Sequence, residues 1–262
     1  MSLCVDDVAS WMASNRLQLN PVKTEVLWCS STRRQHQIPS TPIHIGTASV
    51  APVSSVRDLG VHLDADLTFR THVNAVAKSC FAALRRIRSV RRCLPRHALL
   101  TLIRALVVSK LDYCNSLLVG VSVHLLSRLQ SVFNTAAWII YSSRKYDHVS
   151  PLLRDLHWLR VPQRIQFHLC VLVFRCLHGT APSYLTETLR LAADVESRRR
   201  LRSARTSTLL VPSTRRSTVG DRVFPVAAAR AWNSLPSSVR DASTLLTFRH
   251  RLKTHLFHQC FD

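Results

Sequence analysis

The chain has 262 residues, 47% of them hydrophobic, which is enough to bury a substantial core and excludes wholesale disorder. Against 15 Asp and Glu it carries 36 Lys and Arg, a formal charge of +21. Such a surplus repels itself unless a polyanion meets it, so nucleic acid is the leading partner and an anionic membrane surface the second.

In chain order, residues 3–16 fit an amphipathic helix, with Val5, Val8, Trp11, Met12 and Leu17 near one face. Asn20-Pro21 marks a turn. Glu25 to Cys29 reads as a strand, and Ser30 to Ser40 as a polar, basic loop. A hairpin is expected over Ile43 to Val53 with Gly46 at its bend, then a strand over Val56 to Leu63. From Phe69 to Arg92 the period becomes helical, with Val73, Val76, Cys80, Leu84 and Ile87 three or four residues apart. Pro95 opens the next helix at its favoured first turn, and that helix carries Leu99, Leu102, Ile103, Leu106 and Val107. Further helices are predicted at 122–141, 162–178 and 182–190. Ser197 to Ser207 reads as an Arg/Ser-rich linker. A short strand near Leu209 to Val211 and helices at 223–233 and 243–258 complete the chain.

The eight cysteines are scattered without a C-x-x-C pair and mostly lie in apolar segments. That is the usage of a reducing, intracellular compartment, with nucleus and cytoplasm both open. The opening MSLCVDDVASW has early acids and no long apolar run, unlike a signal peptide. Ile165 to Leu177 holds His168 and Arg175 and is shorter than the roughly 20 residues a membrane span needs, so no membrane crossing is expected. His250, His255, His258 and Cys260 match no zinc-ligand spacing.

The strongest binding signal is one-signed. No acid occurs between Asp66 and Asp112, whereas Arg70, Lys78, Arg85, Arg86, Arg88, Arg91, Arg92, Arg96, Arg104 and Lys110 do. An ordinary solvated helix face carries mixed signs. A cationic run of this kind suits phosphate contacts that are independent of base sequence. The second run, Arg198, Arg199, Arg200, Arg202 and Arg205, reads more readily as a disordered linker.

Several short motifs in order carry a family resemblance. They are WMASNRLQLNPVKTEVL, VRDLGVHLDADL, LDYCNSLL at 111–118, LQSVFNTAA at 129–137, and HVSPLL followed by LHWL at 148–159. FRCLHGTAPSYL at 174–185 and WNSLP at 232–236 follow. Together they resemble the end of the palm, the thumb and the C-terminal region of a non-LTR (LINE-class) retrotransposon reverse transcriptase, an RNA-directed DNA polymerase. The resemblance implies a mostly α fold with a small antiparallel β remnant at the N-terminal end. Residues 1–66 would be the palm remnant, 67–196 a helical thumb-like domain, and 197–262 the linker and a C-terminal helical unit.

The resemblance also assigns roles. Lys23 takes the place of the family lysine that steadies the departing pyrophosphate, a vestigial role here. Leu59 and Gly60 fall in the primer grip. Arg85, Arg86, Arg88, Arg91, Arg92 and Arg96 lie in the thumb that tracks template and primer. The family uses Mg²⁺ held by paired aspartates. Asp6-Asp7 has too few residues before it for the supporting strand turn and continues into a helix, so it reads as solvated first-turn acids. The expectation is a truncated reverse-transcriptase-like protein without catalytic aspartates or cofactor, inactive in polymerisation and retaining sequence-independent RNA or DNA binding. The alternatives are a repurposed RNA- or protein-binding module and a translated relic with no selected role. Apolar palm surface left uncovered would favour aggregation.

Overall fold

The computed structural model describes residues 2–45, 48–194, 207–215 and 217–262. It is mostly helical, with two small antiparallel two-stranded sheets near the N-terminal end. The chain divides into two compact units, Met1–Ala75 and Val76–Asp262.

In the first unit, α1 (Ser2–Ser14) is followed by a 3₁₀ turn at Pro21–Lys23. The expected strand over 25–29 is reduced to one bridge between Val26 and Pro52. Local hydrogen bonding explains part of this: Asn20 Oδ1 accepts from the Val22 N–H at 3.1 Å, and the Thr24 hydroxyl donates to Asn20 O at 2.9 Å, so the chain is turned where a strand would begin. The basic stretch holds a 3₁₀ segment at Thr32–Gln37. β1 (Ile43–Ile45) pairs with β2 (Ala48–Val50), and the bend at Gly46 lies outside the described residues. The single strand expected over 56–63 is instead a hairpin, β3 (Ser55–Asp58) and β4 (Val61–Asp64). Leu59 and Gly60 form its two-residue turn with φ of 44° and 87°. Positive φ at both turn positions suits the right-handed twist of the flanking strands. Gly60 adopts it freely, whereas Leu59 is strained by roughly 1–2 kcal/mol.

Asp64 and Asp66 have structural work after this hairpin. Asp64 is buried and accepts from the Thr71 N–H at 3.2 Å, which is one of the orphan donors at the start of α2 (Arg70–Val90). Asp66 Oδ1 binds the hydroxyl and N–H of Thr68 at 2.7 and 3.1 Å. The face predicted for α1 is only partly covered: Val5 and Met12 are half-buried, whereas Trp11 is 62% and Leu17 is 53% exposed.

Along α2, Val73, Ala77, Cys80, Leu84 and Ile87 are buried, one stripe at helical spacing. A 3₁₀ turn at Arg91–Cys93 leads to Pro95, which sits at the N-cap of α3 (Arg96–Ile103). The helix does not simply continue. Arg104–Val108 is a π segment in which the Ser109 N–H donates to Arg104 O, and α4 (Ser109–Asp112) follows.

The core of the second unit is built on α5 (Val123–Tyr141) and α7 (Val161–Leu177), with α6 (Ser150–Asp155) between them in the chain. Gly179, with φ of 65°, ends α7 in a left-handed C-terminal turn in which the Thr180 N–H reaches Arg175 O at 2.9 Å. The helix expected over 182–190 is one turn, α8 (Ser183–Thr186). Residues 195–206, and with them the Arg198–Arg205 run, lie outside the described part. After α9 (Ser217–Gly220) come α10 (Phe224–Asn233), α11 (Ser237–Arg240) and α12 (Leu245–Phe261).

These last helices share one core with α7: Leu169, Val173 and Phe174 bury with Trp232, Phe248, Leu252 and Leu256. Phe248 stacks on Phe174 at 4.5 Å and tilts against Trp232 at 5.5 Å. The strand expected near 209 is a single bridge to Leu191, because Asn233 binds both the N–H and the carbonyl of Leu209, at 2.9 and 2.8 Å. Among the described residues no helix is long and apolar enough to cross a membrane.

Candidate nucleic-acid interface

Helical geometry decides which cations can act together. Lys78 and Arg85 are seven residues apart on α2, two turns, and so share one side of it; Arg88 is three residues from Arg85, and Arg92 follows in the 3₁₀ turn beyond the end of α2. All four are exposed. None has an ion pair or side-chain hydrogen bond among the described residues. From Lys78 to Arg88 the face runs about 15 Å at 1.5 Å per residue. That matches roughly four base pairs of duplex at 3.4 Å each.

The other predicted residues divide from this group. Arg86 is exposed but turned about 100° from Arg85 around the helix. Arg91 is half-buried in the 3₁₀ turn. Arg96 is already committed: it pairs with Asp155 at 2.9 Å and lies over the Tyr141 ring at 4.3 Å. The Tyr141 hydroxyl also donates to Asp155, and burial, with that bond, pushes the phenol up to about 12. Leu59 and Gly60 belong to the first unit, where they form a hairpin turn.

Lys23 is exposed at the end of its 3₁₀ turn and makes no ion pair with Glu25 among the described residues. Asp6 and Asp7 are exposed in the second turn of α1, past the first turn expected for them. Adjacent positions on a helix diverge by about 100°, so the two carboxylates do not fit a shared Mg²⁺ pair. Among the described residues no group of three or more His, Cys, Asp or Glu could hold a metal ion.

Residues of the LDYCNSLL and LQSVFNTAA motifs pack and hydrogen-bond against α7. Arg164 on α7 forks onto Asp112 through two hydrogen bonds, its Nε at 2.8 Å from Oδ1, and lies over the Phe133 ring at 4.8 Å. Asn115 is buried and pairs with His168 Nδ1 at 2.9 Å. Burial holds the His168 imidazole below its usual range; Arg164 and Arg249 add to that effect and Asp112 opposes it. Gln130 accepts from the Val161 N–H at 2.9 Å, satisfying the first donor of α7. Because Arg164 and Asp112 are only 16% and 24% exposed, Asp112→Ala would leave a largely buried guanidinium unpaired. The expected loss is about 2–4 kcal/mol of unfolding free energy, read from the shift of a urea melt.

Burial pushes the thiols of Cys80 and Cys170 up to about 11 and about 12, so both act as packing groups rather than nucleophiles.

Two of the cavities formed by described residues of the second unit have room for a small ligand. One of about 560 Å³ is mostly apolar, lined by residues such as Leu126, Ile165 and Ala231. Its two arginines are committed, Arg222 donating to Val119 O at 3.1 Å and Arg230 pairing with Asp221 at 3.1 Å. The other, about 330 Å³, is lined by Arg104, Arg164, Arg249 and Lys253 together with Phe167 and Trp158. Sequence reasoning placed Arg104 in the basic region and did not connect it with Arg249 or Lys253, which lie some 150 residues away and have no local pattern linking them to it. Compared with family models, with curated proteins and with solved structures, the chain matches none.

Proposed function

We propose that this chain is a nucleic-acid-binding module of the non-LTR reverse-transcriptase class, which holds the sugar–phosphate backbone of a duplex and does not itself perform nucleotidyl transfer. The observation that carries this reading is the group of exposed cations Lys78, Arg85 and Arg88 on α2 and Arg92 in the turn after it, in a 45-residue stretch without an acid. Guanidinium groups fork onto phosphate oxygens, and a face of one sign attracts a polyanion over a Debye length of about 10 Å at 0.1 M salt. Contacts of this kind to phosphate position a duplex and carry no sequence information. The ordered series of motifs supports the family origin. The eight free cysteines support a reducing compartment.

The test is a titration of a labelled template–primer duplex over a series of salt concentrations. With four phosphate contacts, log K is expected to fall against log salt with a slope of about −3.6. Two unrelated duplex sequences should bind within a factor of about three, since phosphate contacts carry no sequence information. In the same mixtures, Mg²⁺ or Mn²⁺ with deoxynucleotides should extend no primer. A flat salt dependence would assign the face to a protein partner, and primer extension would overturn the catalytic part of the proposal.

A further inference from the structure

A charged cleft independent of the α2 face is built entirely within the second unit. Its walls come from four separate segments: the π segment, the Leu156–Leu159 turn, α7 and α12. Arg104 and Val108, the first and last residues of the π segment, both line it. Widened helical turns of this kind recur at functional sites. Arg249 and Lys253 stand one turn apart on α12 and line it together. No carboxylate is among the lining residues. The Arg164 charge is answered by Asp112, whereas Arg104, Arg249 and Lys253 have no ion pair or side-chain hydrogen bond among the described residues. The charge of Arg249 is felt inside: it is one of the groups holding the half-buried His168 imidazole below its usual range. Three unanswered cations around one cavity attract an anion. The half-buried Phe167 and the buried Trp158 add aromatic wall beside the charge.

We propose that this cleft binds a phosphomonoester, with Arg104, Arg249 and Lys253 surrounding the dianionic phosphate and Phe167 and Trp158 flanking the attached nucleoside. A cavity of about 330 Å³ is at the small end of the range for ligand sites, suited to one nucleotide and too small for a duplex. Three cations match a terminal phosphate, which carries close to two charges at neutral pH, better than an internal phosphodiester, which carries one. The phosphate has two sources with the same chemistry, a free nucleotide or the 5′ end of a strand.

The full chain is titrated with adenosine monophosphate, with adenosine, and with one short single-stranded oligonucleotide bearing either a 5′-phosphate or a 5′-hydroxyl. The phosphorylated member of at least one pair is expected to bind about tenfold tighter, the worth of one charge-assisted phosphate contact. Arg249→Gln with Lys253→Gln, and separately Arg104→Gln, should erase that preference; these side chains are exposed, so the fold is retained. Preference in the nucleotide pair alone assigns the cleft to free nucleotides, and preference in the oligonucleotide pair alone assigns it to strand ends. Equal binding within both pairs overturns the proposal, as does a preference that survives both variants. The Arg85→Ala, Arg88→Ala, Arg92→Ala triple variant serves as the control. It weakens both oligonucleotides equally if the α2 face holds nucleic acid, and leaves the phosphate preference intact, so failure at one site is read separately from failure at the other.

Discussion

Replacing Arg85, Arg88 and Arg92 together with alanine is expected to lower duplex affinity by about 10²–10³-fold at ~0.1 M salt. The size follows from counterion release: each neutralised phosphate contributes about 0.9 to the slope of log K against log salt, so three contribute about 2.7. The same variant should therefore bind with a slope shallower by about 2.7, a second and independent readout. Its stability should hardly change, because all three side chains are exposed and make no ion pair among the described residues. Surface substitutions of this kind usually stay within about 0.5 kcal/mol each. Arg96→Ala separates charge from position. Its guanidinium is paired with Asp155 and stacked on Tyr141, so its loss should act on the fold and leave the salt slope unchanged. A triple variant that binds duplex like the parent would remove the α2 face from the proposed interface.

The second large effect is expected in the core. Phe248 has no exposed surface and packs its ring against both Phe174 and Trp232. Phe248→Ala removes that burial and leaves a cavity between α7, α10 and α12, for a loss of about 3–5 kcal/mol. In a unit of this size each kcal/mol shifts the melting temperature by about 2–4 °C, so a fall on the order of 10 °C is expected in a thermal melt. Leu246→Ala, on the same helix but 80% exposed, should shift it by no more than a degree or two. The comparison tests whether the C-terminal helices stand or fall with α7. If they melted separately, Phe248→Ala would leave the main transition in place.

The helices were legible where burial is local and periodic. The stripe through Val73, Cys80, Leu84 and Ile87 is buried along α2, and α5, α7, α10 and α12 begin within two residues of expectation. Period-two patterns misled where a turn interrupts a short apolar run. Leu59-Gly60 sits inside a stretch that reads as one strand, and only the pairing of Ser55 with Asp64 reveals two. The π segment at 104–108 has no sequence signature either, because its spacing differs from that of an α-helix by less than one residue per turn.

By itself the sequence determined the helical composition, the excess of positive charge and the side of α2 on which Arg85 and Arg88 lie. Each of these follows from neighbours within a few turns of the same element. Tertiary structure alone decided that Arg96 is answered by Asp155, 59 residues on, while Arg85 is not. It also decided that Arg104 shares a cleft with Arg249 and Lys253. The physical reason is that an ion pair or a cavity wall depends on which apolar faces pack together, and that choice is made by the whole core at once.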